Sequence, residues 1–199
     1  RKFNTEDPYR DDLCAPASSS ITLRCIAANA VKTGQKTAIA DAGHAFYHAP
    51  ETELCSVDPP KEWLEKFRDE DGNLPDLVWQ LRKQLPGRRK AAQAWMDFIG
   101  GQLLKRGCDR MPELPYLYRH LEKCLDFEVH MDDFHMTGPD EGMMRFLRDL
   151  GEEVDLKIEG PFGPGDEYEH LKRRHIVFPD GIRILPGKQH IPNTQKLLG

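Results

Sequence analysis

Two adjacent acids, Asp132 and Asp133, follow a stretch in which Leu125, Phe127, Val129 and Met131 are apolar and Asp126, Glu128 and His130 between them are polar. Period-two alternation marks a strand with one buried face, and Phe134-His135-Met136-Thr137 supplies a return strand. The acid pair therefore sits at the tip of a β-hairpin. Carboxylates side by side repel and raise each other's pKa, a cost that a cation removes. A third acid, Asp41, ends the run Thr37 to Asp41, which reads as a short buried strand. Three carboxylates on neighbouring strands suit hard divalent metal, which prefers oxygen ligands. Phosphoryl transfer onto a hydroxyl uses two such ions, about 3.5–4 Å apart. A solvated Asp-Asp turn is the plainer reading, and the residues alone leave both open.

Two further groups bear on the same chemistry. Phe46 lies five residues after Asp41, where its ring could pack under a sugar and exclude a 2′-hydroxyl; a core aromatic is the alternative. Leu85-Pro86-Gly87-Arg88-Arg89-Lys90 leads into a helix. A Pro-Gly break admits a ligand close to the backbone, and bases near a helix N-terminus suit phosphate; a solvated basic loop is the alternative. The histidines fall in close pairs, His44 with His48, His130 with His135 and His170 with His175; none of these pairs has the spacing together with the partners of a zinc site, and the cysteines are scattered. No P-loop, GxGxxG or GxSxG motif occurs.

The elements that must position these residues follow from periodicity and breakers. Ser18 to Ser20 cap a helix over 21–31 that ends near Gly34. Residues 50–60 are irregular, 61–67 form a short helix, 69–73 a surface turn and 77–81 a short extended piece. A helix spans 91–106, with Trp95, Phe98, Ile99 and Leu103 on one face and Gly107 as its stop. Gly100-Gly101 inside it implies close backbone packing, since each glycine costs about 1 kcal/mol relative to alanine. Residues 116–120 pair with 125–131. Asp140 caps a helix whose Met143, Phe146, Leu147 and Leu150 share a face, and Gly151 ends it. A Gly/Pro loop over 160–165 precedes a final hairpin, 175–178 and 182–185. The order predicts an α+β fold, helices backing an antiparallel sheet.

Composition sets the outer bounds. The 199 residues are 31% charged and 39% hydrophobic, as in a globular domain, and the opening at Arg1 without methionine implies a piece of a longer chain. No apolar run reaches the roughly 20 residues of a membrane span. Five cysteines without a CxxC pair suit reduced thiols in an intracellular protein, in cytoplasm or nucleus. The net charge of −5 counts against simple binding of a nucleic-acid backbone, although Leu81 to Lys90 holds five bases and no acid, and Lys172-Arg173-Arg174 is a second basic run.

In order along the chain, these pieces resemble the reverse transcriptase of copia-type long-terminal-repeat retrotransposons, over roughly Asp12 to Leu198. Asp41-Ala42-Gly43-His44-Ala45-Phe46 is similar to the family's Asp-Val-x-x-Ala-Phe. Val78-Trp79-Gln80-Leu81-Arg82-Lys83-Gln84-Leu85-Pro86-Gly87, running on to Ala94-Trp95, is similar to its Val-Trp-Lys-Leu-x-Lys-x-Leu-Tyr-Gly stretch. His130-Met131-Asp132-Asp133-Phe134 stands for Tyr-Val-Asp-Asp-Ile, with Thr137-Gly138 following. The resemblance implies a right-handed palm with partial fingers and no complete thumb: 1–36 and 50–90 as the fingers–palm connection, 37–49 and 91–187 as palm, and 188–199 as the start of a truncated thumb. It implies an RNA-directed DNA polymerase that binds two Mg²⁺ or Mn²⁺ ions through Asp41, Asp132 and Asp133. Phe46 becomes the sugar gate, and Gly87, Arg88, Arg89 and Lys90 line the incoming nucleotide and template. The hairpin 175–185 falls near the primer end. The partners implied are an RNA template, a DNA primer and deoxynucleoside triphosphates. His130 and Pro86 stand where the family has tyrosines, and Lys90 where it has a nucleotide-contacting glutamine. Those departures and the acidic charge suit a rival reading, a palm without catalysis that serves as a structural subunit among protein partners.

Overall fold

A computed structural model describes residues 19–187 and 192 of the chain. Expectations for the entry segment and the start of a thumb fall outside these residues. The described chain runs α1 (Ser20–Thr33), β1 (Lys36–Ala42), α2 (Ala45–His48), β2 (Ser56–Val57), α3 (Lys61–Leu64), β3 (Trp79–Gln80), α4 (Ala91–Lys105), β4 (Asp109–Met111), β5 (Leu114–His120), β6 (Leu125–His130), β7 (Asp133–Gly138), α5 (Asp140–Leu150), β8 (Leu156–Phe162), β9 (Glu167–His170), β10 (Arg173–Phe178) and β11 (Gly181–Pro186). Among the described residues no helix is long and apolar enough to cross a membrane.

β4-β5-β6-β7-β1-β8 form one six-stranded sheet and β11-β10-β9 a second sheet of three; all their pairings are antiparallel. One face of the large sheet carries the apolar partners of each alternation. Ala38, Ala40 and Ala42 of β1, Phe127 and Val129 of β6, and Phe134 and Met136 of β7 pack on Trp95, Met96, Ile99 and Leu103 of α4 and on Met143, Phe146, Leu147 and Leu150 of α5. The opposite face is polar. There α1 lies across it, its Asn29 Nδ2 donating to Asp126 Oδ2 at 2.8 Å, and the three-stranded sheet covers His135.

Ser19 begins α1 with a reciprocal capping box to Thr22, and Gly34 ends it at φ 67°, in the left-handed region that favours glycine. Within α4 it is Gly100 that makes the close approach: a Cβ there would lie 3.0 Å from the Tyr118 hydroxyl, whereas Gly101 faces open space. Two expectations are corrected. Pro139, not Asp140, occupies the N-cap position of α5 and makes no side-chain cap; Asp140 is the first helical residue, its carboxylate 2.7 Å from Lys36 Nζ. The 160–165 loop is in part strand, since Gly160, Pro161 and Phe162 belong to edge strand β8. Its pairing with β1 shifts register between Thr37 and Ile39, and Gly160, at φ 119°, brings its backbone so near Thr37 that a Cβ would sit 3.0 Å from that carbonyl oxygen. A bulge at a sheet edge tolerates glycine and proline that a central strand would not.

Candidate functional site

β6 and β7 meet in a hairpin whose loop is Met131-Asp132, so Asp133 opens the return strand. Met131 has φ 57°, an unusual value for a side chain of its size. What holds it there comes from the core: Trp95 of α4, fully buried, donates its indole N–H to the Met131 carbonyl at 2.7 Å. β1 lies beside β7 with Asp41 directly opposite Asp133, and the Ala42 amide donates to the Asp132 carbonyl at 2.8 Å. Three acids distant in sequence thus reach one sheet end. Asp41 and Asp132 are exposed and Asp133 is half-buried. Burial, then the charges of Asp132 and Asp41, push the Asp133 carboxyl up to about 6. Lys157 of β8 lies across from Asp41, its ammonium favoured first by Glu159 at 2.6 Å and weakly by the field of Asp41.

Beside the tip is a cavity of about 230 Å³ lined by His44, Phe46, Tyr47, Pro86, Trp95, Met131 and Asp132 among others. The structure therefore brings Phe46 and the residue before Gly87 to the wall that Asp132 shares. Gly87 itself has φ 92° and nothing within 4 Å of a built Cβ, so its backbone is open to approach. The bases beyond it are engaged. Arg88 Nη2 lies 2.9 Å from Glu51 Oε2, without hydrogen-bond alignment, and 3.5 Å from Glu53, and its Nη1 donates to the Cys55 thiol. Lys90 Nζ is 2.6 Å from Glu53. Arg89 has contacts of its own. Lys90 stands at the N-terminus of α4 without a side-chain cap, and no acid occupies the first turn, which leaves that end of the helix dipole favourable to an anion.

No protein-family model matches the chain, and no curated protein matches it. Among solved structures it is similar to telomerase from Candida albicans in a complex with a TWJ fragment of telomeric RNA, at a TM-score of 0.46 and 10% identity. The match covers 90% of this chain, which spans 37% of that one. The reading of the site rests on the chain's own geometry.

Sequence reasoning missed two parts of this region. Asp155, beyond α5, packs against the backbone of Gly43: the Gly43 amide donates to its carbonyl at 2.8 Å, and a Cβ on Gly43 would meet its Oδ2 at 2.6 Å. The second is a buried group further down the same face. Among the described residues, the set whose ligand atoms all lie within 4.8 Å of one another is Glu128, His135 and His170, rather than the aspartates. These histidines come from different chain pairs, so spacing along the sequence gave no sign of them. Burial raises the Glu128 carboxyl to about 7, with the Thr22 hydroxyl opposing slightly. It also lowers His170 to about 3 and His135 well below the ordinary imidazole value, with neighbouring histidines adding to both shifts. Of the cysteines, Cys25, Cys55, Cys108 and Cys124 are free, and burial pushes the Cys108 thiol up to about 12.

Proposed function

We propose that the chain is the palm of an RNA-directed DNA polymerase of the copia type, joining deoxynucleotides to a primer 3′-hydroxyl. The observation that carries the reading is the register of Asp41 against Asp133 with Asp132 in the adjoining loop. Burial first, and then repulsion from Asp132 and Asp41, raise the Asp133 carboxyl; bound cations relieve that repulsion, so the donor set fits Mg²⁺ or Mn²⁺. When bound, two such ions would favour the ionised 3′-hydroxyl and neutralise charge on the departing pyrophosphate. Asp41 and Asp132 would hold both ions and Asp133 would complete the set. In the reaction the hydroxyl oxygen bonds the α-phosphorus, the bond from that phosphorus to the bridging oxygen breaks, and the hydroxyl proton leaves to water. Phe46 would close the cavity against a 2′-hydroxyl. The cavity is smaller than the roughly 300–1,000 Å³ of a whole-ligand pocket, so it suits the sugar, with the triphosphate running past Gly87 toward the start of α4.

The second reading, a palm kept as a structural subunit, is favoured by one observation. Arg88 and Lys90, two bases that follow Gly87, are already matched by Glu51 and Glu53. Primer extension on an RNA template with Mn²⁺ separates the two. A polymerase extends with deoxynucleotides, and its Phe46→Val form accepts ribonucleotides more readily. Folded protein that extends nothing supports the structural subunit.

A further inference from the structure

The buried group beneath the tip has the composition and spacing of a metal site unrelated to the aspartates. Glu128 and His135 face each other directly across the β6–β7 ladder. His170 arrives from β9, in the other sheet, and its ring stacks 4.8 Å from that of His135. The three residues are 0%, 0% and 3% exposed. Among the described residues, both Glu128 oxygens, His135 Nδ1 and His170 Nε2 find no hydrogen-bond partner. The Thr22 hydroxyl, which lies near Glu128, donates to the Ser19 carbonyl at 2.8 Å. Buried polar atoms left in this state are costly, and a buried carboxylate more so.

The spacing distinguishes the ways to satisfy them. The ligand atoms lie within 4.8 Å of one another, yet none is in hydrogen-bond geometry with another. A protonated Glu128 has a single O–H and could serve only one of the two rings. One cation serves all three groups together: ligand bonds of about 2.0–2.1 Å in a tetrahedral site hold neighbouring donors about 3.4 Å apart. Two imidazoles and a carboxylate suit zinc and its neighbours, while Mg²⁺ and Ca²⁺ prefer oxygen throughout. The surroundings fit as well. His135 Nε2 lies 2.9 Å from the Tyr168 hydroxyl, which can orient the ring and leave Nδ1 as the ligand. His175, stacked 4.7 Å from Tyr168, has Nδ1 held 3.1 Å from the Arg173 carbonyl; its Nε2 is buried and unpartnered.

We propose that Glu128, His135 and His170 bind one divalent cation of the zinc class, and that this ion staples the β9–β11 sheet onto the six-stranded sheet. The role is structural and independent of any activity at the aspartates.

The test uses the untagged 199-residue protein, freed of metal by a chelator and titrated with Zn²⁺ and Co²⁺. One equivalent of Zn²⁺ binds with a dissociation constant below about 1 µM, and Co²⁺ gives the strong visible absorption of a four-coordinate site. His170→Ala weakens binding by about 100-fold or more, since even outer-shell losses reach that range, while Asp41→Asn leaves it unchanged. Absorption spectroscopy at the zinc edge needs no variant and so remains decisive if His170→Ala fails to fold; it reports imidazole nitrogen in the shell. Three results overturn the proposal: folded wild-type protein that takes up no zinc, a shell of oxygen alone, or zinc binding that Asp41→Asn abolishes and folded His170→Ala retains.

Discussion

Two polar centres share one face of the six-stranded sheet and one β-ladder. Asp133 stands opposite His130, and two residues deeper His135 stands opposite Glu128. The upper centre ends at solvent, with Asp41 and Asp132 exposed. The lower one is closed by β9 and β10, whose Tyr168, His170 and His175 turn inward. Carboxylates at the tip keep water as a partner, so an ion is required there only for chemistry. Glu128 is fully buried, with no hydrogen-bond partner among the described residues, so losing its charge or gaining a cation favours the fold. The same residue type on the same face acquires a reactive or a structural role according to what covers it.

This contrast can be broken at either end. The largest effect is expected from Trp95→Ala, which empties a fully buried site and frees the Met131 carbonyl. Denaturant unfolding should show a loss of about 3–5 kcal/mol, and zinc uptake by whatever remains folded should persist. Next is Glu128→Gln in chelator. The carboxyl of the folded protein titrates near 7 against an ordinary value near 4.5, so the folded state holds the extra proton. Wild-type stability contributed by this group is present at low pH and is lost as pH rises through that window. Relative to wild type, the variant should gain about 3 kcal/mol between pH 4.5 and 7. Asp133→Asn should show the same sign in a lower window, ending near pH 6, and only about 1–2 kcal/mol because solvent screens the tip. The smallest effect is binding of Mn²⁺ at the tip. At about five times its dissociation constant it adds about 1 kcal/mol, or about 3 °C in melting temperature, and Asp41→Asn should remove this gain while leaving that from zinc.

The tip was legible in the sequence because its logic is local. Strict alternation over 125–131 placed the hairpin, and the short run before Asp41 gave the strand beside it. The helix faces of α4 and α5 followed from spacing in the same way. The lower centre was hidden because it depends on β9. That strand is four residues long and carries Glu167 and Glu169 on its outer side, so it shows little apolar signal, and the Gly-Pro stretch before it suggested a loop rather than a bulged edge strand. Arg88 and Lys90 could be seen as bases near a helix start. Their capture by Glu51 and Glu53 is a long-range contact that no local pattern announces. The Trp95 bond to Met131 was invisible for the same reason, although Trp95 was plainly on the buried face.

The most direct test of the division between the two centres is primer extension on an RNA template by wild type, Asp132→Asn and His170→Ala, each shown to be folded and supplied with Mn²⁺. Asp132→Asn is expected to lower the rate about a thousandfold, equivalent to ~4 kcal/mol of transition-state stabilisation. His170→Ala should keep activity at temperatures where it remains folded. Extension that survives Asp132→Asn, or that falls equally in both variants while the fold is intact, would contradict the division.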